Sequence, residues 1–268
     1  MIEKNRQQEL RSLYNPDGSR LRTIQLNLLD ILIEFDRVCR KNGIPYWLDS
    51  GTLIGAARHG GFIPWDDDLD VCILRKDRKR LVKTMREQLS APYSCETDIR
   101  SWLKIYDRHI TVSREVPAPG KSGKTIVKTD NIWMDVFIET NGNARLSKTI
   151  SGFYGLCFRR RYRIVNDGIL KYLTGLCLFP IASLMASAVR LLGRIFHPDT
   201  LIHDIGTGFY SERKKDEIFP LQEIEFEGHL FSAPCRTADY LARIYGDWNS
   251  LPQNIENHNI TNIYDEQL

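Results

Sequence analysis

The stretch Asp66-Asp67-Asp68-Leu69-Asp70 runs directly into Val71-Cys72-Ile73-Leu74, and no other feature constrains the fold as tightly. A short apolar run bounded by Gly60-Gly61 and Pro64 predicts a strand over residues 69–74, buried on at least one face. In a strand, residues two apart point the same way. Asp68 and Asp70 therefore project together, with Leu69 packed on the opposite face. Two convergent carboxylates suit a hard divalent cation, because Mg²⁺ takes one or two carboxylates along with phosphate oxygens and water. Acidic turns are also common as plain solvated surface, so the pair needs company before it reads as a site.

That company lies on both sides. Upstream, Asp49-Ser50-Gly51-Thr52 opens a short helix running to about His59, with Asp49 or Ser50 placed to cap it and Gly60-Gly61 to close it. Peptide N–H groups and the positive end of the helix dipole suit a phosphate there. Gly51 allows a ligand to approach the backbone, and Thr52 adds a hydroxyl. Arg58 and His59, at the far end of this helix, either reach a phosphate or pair with the aspartates. Downstream, Asp135 sits inside Ile132-Trp133-Met134-Asp135-Val136-Phe137-Ile138, where packing alone does not explain a carboxylate. Pairing that strand beside 69–74 brings Asp135 to the same place, either as a metal ligand or as the acceptor of a proton from an incoming hydroxyl. Lys104, in a strand over residues 102–106, is either a phosphate contact or a solvent-facing lysine.

Elsewhere the periodicity predicts helices over residues 21–41, 77–89 and 238–245, and a strand and turn at Phe226-Glu227-Gly228. Residues 117–123 read as a loop. The composition, 42% hydrophobic and 26% charged over 268 residues, excludes wholesale disorder. The six cysteines form no C-x-x-C pair and read as mostly buried thiols of a reducing compartment. With a polar start, MIEKNRQQEL, the expected location is the cytoplasm.

The net charge of +3 hides an asymmetry. Residues 145–200 carry nine basic and two acidic side chains, against 28 basic and 32 acidic in the rest. This excludes a whole-chain basic footprint for nucleic acid. Arg159-Arg160-Arg161-Tyr162-Arg163 and Lys171 precede 18 uncharged residues, Tyr172 to Val189, followed by Arg190 and Arg194. Three readings are open for this segment: a buried core helix pair broken at Pro180, an interfacial or re-entrant piece, or a membrane span. The basic flanks favour peripheral contact with an anionic membrane through residues 159–194, at the inner face.

The run Ser50-Gly-Thr-Leu-Ile-Gly-Ala-Ala-Arg-His-Gly-Gly-Phe-Ile-Pro-Trp-Asp-Asp-Asp-Leu-Asp70 resembles the signature of LicD proteins, which include the fukutin-related proteins. Asp135 in its apolar strand, Tyr240-Leu241, Tyr245-Gly246-Asp247 and Leu251-Pro252 extend the resemblance over roughly residues 20–140 and 215–258. It implies an α+β fold, a nucleotidyltransferase-like mixed sheet with flanking helices, here carrying a helical apolar insertion. The implied division is an N-terminal segment (1–20), a catalytic core (21–145), the insertion (146–214) and the C-terminal part of the catalytic domain (215–268). The implied activity is transfer of a phosphoalcohol, such as phosphocholine, from a CDP-alcohol donor to a hydroxyl of a glycan or lipid-linked saccharide acceptor, for lipopolysaccharide or capsule. Asp68 and Asp70 match the metal pair, Asp135 the third carboxylate, and Gly51 and Thr52 the phosphate turn; the cofactor implied is Mg²⁺ or Mn²⁺. Beside that pattern, Ser50, Arg58, His59 and Lys104 are candidate substrate contacts on the reading of the residues above, and His258 lies near the last block. Transfer of a nucleotide from an NTP, and an inactive membrane-associated scaffold, are the rival functions. Trp65, Tyr106, Trp133 and Trp248 are candidates for an aromatic box around choline.

Overall fold

Two helices lead the chain, α1 (Lys4–Tyr14) and α2 (Arg20–Asn42). The Ser19 hydroxyl starts α2 by accepting the Arg22 N–H at 3.2 Å, and Gly43 ends it with φ of 57°, a left-handed conformation that glycine adopts without a steric penalty. Of the apolar stripe Leu21, Ile24, Leu28, Ile31, Leu32, Phe35 and Cys39, all but the half-buried Leu21 are fully buried. The computed structural model describes residues 2–97, 102–117, 125–162, 169–252 and 260–265. His258 and part of the 117–123 loop lie outside the described residues.

The chain continues through β1 (Tyr46–Leu48), α3 (Ser50–His59), β2 (Asp70–Leu74), α4 (Arg78–Gln88), β3 (Tyr93–Thr97), β4 (Leu103–Pro117) and β5 (Thr125–Asn141). Then come α5 (Ala144–Tyr162), α6 (Ile169–Phe196), β6 (Thr200–His203), β7 (Arg213–Lys214) and α7 (Lys215–Ile218). The hairpin β8 (Gln222–Phe226) and β9 (His229–Ala233), α8 (Thr237–Tyr245) and β10 (Ile260–Asp265) complete the order. Eight strands form one mixed sheet with the path β1-β2-β5-β4-β10; β3 joins β4, and β6 joins β5 and β7. Among the described strands only β2 and β5 pair in parallel. The fold is α+β, with helices against a mixed sheet. One continuous core joins α2, α4 and the sheet strands.

β4 and β5 are far longer than the five- and seven-residue runs seen in sequence. Their pairing breaks register between Tyr106 and Thr111 and then resumes to Pro117. Beyond the break, outward residues such as Ile126 and Val127 are exposed, so the burial that makes a strand visible in sequence is missing there.

The middle segment narrows the three open readings. α6 is one unbroken helix through Pro180. Proline lacks an N–H and crowds the carbonyl one turn back, but Pro180 lies on an exposed side, where water can satisfy that carbonyl. Nor is the segment a buried core pair: Ile181, Leu184, Leu191 and Phe196 are exposed. The sheet also takes in β6 and β7, so the helical excursion spans α5 and α6 and stops short of residue 200.

Candidate active site

The aspartates meet at the edge where β2 begins. Asp70 and Asp135 are register partners on the parallel pair β2–β5, and Lys104 on β4 is in turn the register partner of Asp135. Directly opposed residues share a face, so Asp70, Asp135 and Lys104 form one row across three strands. Asp68 is exposed just ahead of β2, while Leu69 behind it is buried. The first turn of α3 is tied to this edge: the Thr52 hydroxyl accepts the Asp70 N–H at 2.8 Å, and the Asp49 N–H donates to the Asp70 carbonyl at 3.1 Å.

Gly51 has a reason that sequence did not supply. A Cβ there would stand 2.5 Å from an Asp66 carboxylate oxygen, so the missing side chain lets Asp66 lean over the start of α3. Ser50 turns into the helix with φ of 50°, a region serine rarely occupies.

Asp135 is held from several sides. The Trp102 indole N–H donates to Oδ1 at 2.9 Å and the Trp133 N–H to Oδ2 at 3.3 Å, and Lys104 Nζ lies 3.3 Å from Oδ1. Lys104 is buried, not solvent-facing. Its ammonium sits 3.7 Å from the Trp133 ring centre, and Arg108 covers Tyr106 at 4.6 Å. Two of the four aromatics considered for a choline box thus already carry protein cations. Arg58 and His59 stand at the opposite end of α3. Arg58 donates to the carbonyls of Trp248 at 2.8 Å and Ser250 at 2.9 Å, and His59 Nδ1 lies 2.6 Å from the Gln7 side-chain oxygen.

Burial, then the carboxylates of Asp135, Asp68, Asp49 and Asp66, hold Asp70 well above the ordinary carboxylate range. Asp66, Asp67 and Asp68 bring ligand oxygens within 4.8 Å of one another. An all-oxygen donor set with mutually repelling charges fits a hard divalent cation.

A second polar group, which sequence reasoning missed, lies deeper on the same strands. Asp49, Cys72, Glu139 and His203 are all buried, with donor atoms within 4.8 Å of one another, a spacing able to hold a metal. Here, however, Arg213 stands among them. Its Nε is 2.9 Å from Glu139 Oε1, its Nη2 is 3.3 Å from Asp49 Oδ2, and it also meets His203 Nε2. The Tyr240 hydroxyl donates to Asp49 Oδ1 at 2.6 Å. Asp49 occupies the N-cap position of α3, but its side chain makes no cap hydrogen bond; it turns inward to this cluster instead. Burial pushes the Asp49 carboxyl up, but Arg213, His203 and Tyr240 outweigh it and hold it below the ordinary range. The alternation that put Asp68 and Asp70 on one face also reaches Cys72, and that of Asp135 reaches Glu139. His203 and Arg213 gave no sequence signal.

A profile of the LicD/FKTN/FKRP nucleotidyltransferase domain matches residues 43–159, which include α3, the acidic edge, Lys104 and Asp135. Over those residues the chain is similar to the LicD family. The lipopolysaccharide cholinephosphotransferase LicD of Haemophilus influenzae is 28% identical over 91% of this chain and 97% of its own length. The human ribitol 5-phosphate transferase FKRP is 57% identical over 35 residues, 13% of this chain and 7% of that protein. The solution structure of the antibiotic-resistance factor ANT(2'')-Ia matches 64% of this chain and 92% of that one at 13% identity, with a TM-score of 0.24. The LicD-family match gives the acidic edge its chemical context.

Proposed function

We propose that the protein is a metal-dependent phosphoalcohol transferase of lipopolysaccharide or related glycan assembly, taking its donor from a CDP-alcohol. The observation that carries this reading is the row Asp70–Asp135–Lys104 beside the start of α3. It sets paired carboxylates, a separately oriented carboxylate and a buried ammonium around one edge. The full-length likeness to a lipopolysaccharide cholinephosphotransferase supports the reaction class.

Asp68 and Asp70 are the residues that would hold Mg²⁺ or Mn²⁺, with Asp135 beside them as the third carboxylate. A cation held there supplies charge neutralisation for the donor diphosphate. The first turn of α3, Ser50 to Thr52, presents backbone N–H groups to phosphate oxygens, and Lys104 adds an ammonium. Asp135, fixed by Trp102 and Trp133, accepts the proton of the acceptor hydroxyl. The hydroxyl oxygen forms the new bond to the phosphorus of the phosphoalcohol. The bond from that phosphorus to CMP breaks, and CMP leaves with the electron pair. Arg58 and His59 act from the far end of α3 by bracing the C-terminal segment through Trp248 and Ser250 and the N-terminal helix through Gln7. The acceptor is a saccharide hydroxyl, free or lipid-linked, and the workplace is the cytoplasm.

The test is thermal stabilisation by CDP-choline, CDP-ribitol, CDP-glycerol and CTP, each with and without Mg²⁺, followed by product analysis. Stabilisation by a CDP-alcohol and release of CMP are expected. Pyrophosphate release from CTP would instead make the enzyme a nucleotidyltransferase, and no shift with any CDP compound would remove the donor assignment.

A further inference from the structure

α5 and α6 pack side by side, and the arrangement of their side chains is inverted relative to a soluble helix pair. The α6 side that faces the seam carries small residues: Gly175, Ala182, Ala186, Val189 and Gly193 are buried. These recur at helical spacing, and Tyr154, Cys157 and Ile150 of α5 meet them. Leu178 and Phe179 also pack into the seam, but six other large apolar residues point the other way. Leu173, Ile181, Leu184, Leu191, Ile195 and Phe196 are exposed, Leu184 by 72%. In the long apolar window of this helix only 22% is buried. Soluble helices bury their leucines and expose their charges; helices that meet lipid pack through small residues and turn large apolar side chains outward.

Charge selects the occupant of this face. Residues 145–200 carry nine basic and two acidic side chains. A second copy of the same hairpin would bring like charge against like charge, whereas an anionic bilayer complements it. The hairpin does not suit a crossing. The uncharged run of α5, residues 149–158, is about 15 Å long, half of the roughly 30 Å hydrocarbon core.

We infer that the α5–α6 hairpin is a membrane-docking element that lies in the headgroup–acyl boundary of an anionic bilayer. Its outward leucines and isoleucines enter the acyl region, and exposed basic side chains such as Arg145, Lys148 and Arg194 meet the lipid phosphates. The hairpin is fixed to the sheet at its base. A Cβ on Gly193 would stand 2.3 Å from the Asn141 carbonyl oxygen, so the α6 backbone rests directly on the end of β5. Arg190 Nε pairs with Asp204 at 2.7 Å, just beyond β6. β5 is the strand that carries Asp135, six residues before Asn141. At strand rise this separates the acidic row from the docking base by about 20 Å. The docked protein thus holds its acidic edge at a fixed, short distance from the bilayer, whatever its donor.

The experiment is co-sedimentation of the full-length protein with vesicles of phosphatidylcholine, with and without phosphatidylglycerol. The wild type is expected to pellet with the anionic vesicles at low salt and to be partly released by added salt. The double substitution Leu184→Glu and Leu191→Glu is expected to lower vesicle partitioning by about tenfold or more, since each removes a buried leucine's transfer energy, with an unchanged thermal melt. Leu184→Trp provides a readout that keeps the face apolar: the fluorescence of the introduced indole should shift to the blue and be quenched by brominated acyl chains. Wild-type protein left in the supernatant with anionic vesicles would overturn the inference. So would unquenched indole fluorescence in the Leu184→Trp variant, or a dimer that the double glutamate variant dissolves while vesicles bind neither form.

Discussion

Two clusters of acidic side chains stand on the same strands, and they solve the problem of charge in opposite ways. β2 contributes Asp70 to one and Cys72 to the other; β5 contributes Asp135 to one and Glu139 to the other. In the deeper cluster the carboxylates of Asp49 and Glu139 close around the Arg213 guanidinium, with His203 and Tyr240 completing the contacts. At the edge, carboxylate crowds carboxylate, and Asp70 holds its proton well above the usual range. The lesson is that acidic residues alone do not mark a site. What distinguishes structure from chemistry is whether the protein itself supplies the counter-charge or leaves a place for a ligand to supply it.

The largest expected effect tests the closed cluster. Arg213→Met removes the guanidinium and leaves Asp49 and Glu139 buried without it. Breaking a buried pair in this way costs about 3–5 kcal/mol, so urea unfolding should show a marked loss of stability. A loss under about 1 kcal/mol would mean that the cluster is not held by Arg213, and the contrast with the edge would collapse.

The edge should respond in the opposite sense. Asp70→Asn replaces a carboxyl whose charged form burial and its neighbours already disfavour, so the metal-free protein should melt at the same temperature or higher. Transfer activity should nevertheless fall by about a hundredfold to a thousandfold, the scale of losing a group that stabilises charge in a transition state. Catalytic sites commonly store such destabilising charge. An Asp70→Asn protein that is both less stable and fully active would reverse the assignment of the two clusters.

How these clusters announce themselves in sequence differs too. The edge is legible because acids interrupt or adjoin apolar strands: Asp70 and Asp135 stand where packing wants a hydrocarbon, and Asp68 lies just ahead of β2. Alternation within a strand does not say which strands pair, so the β2–β5 pairing that joins them comes from the fold. Lys104 was visible as a strand residue, but its burial against Asp135 depends on the β4–β5 register. The closed cluster was illegible for a physical reason. Asp49 and Arg213 are 164 positions apart in the chain, and α5 and α6 intervene before β6 and β7 return to the sheet. Pro180 misled for another reason: proline's cost depends on which side of the helix it faces, and sequence alone does not fix that side.

A smaller effect separates the clusters by pH. Because burial and neighbouring carboxylates raise Asp70, a divalent cation that binds there must displace a proton. Affinity for Mg²⁺ or Mn²⁺ should therefore climb as the pH rises, with proton release visible when calorimetric heats are compared in buffers of different ionisation enthalpy. Affinity independent of pH, with no proton released, would place the cation elsewhere.

The smallest signal is a cancellation inside the closed cluster. Burial and the Arg213 charge push His203 down from 6.5 to about 4. Burial pushes Glu139 up from 4.5 to about 7, with Arg213 opposing and Asp49 adding to the rise. Between pH 6.5 and 4 the unfolded chain holds a histidine proton that the native state lacks, so His203 costs stability as the pH falls. Between pH 4.5 and 7 the native state holds a glutamate proton that the unfolded chain lacks, so Glu139 costs stability as the pH rises. Where the windows overlap the two slopes oppose, and the wild type should melt at nearly constant temperature as far as this pair is concerned. Each partner's removal should uncover the other's slope. His203→Gln should lose stability as the pH rises from 4.5 to 7, and Glu139→Gln should lose it as the pH falls from 6.5 to 4. Melting curves of the three proteins across that range decide the point. If both variants kept the wild-type profile, His203 and Glu139 would not be exchanging a proton's place between them, and the balance of the closed cluster would rest on Arg213 and Asp49 alone.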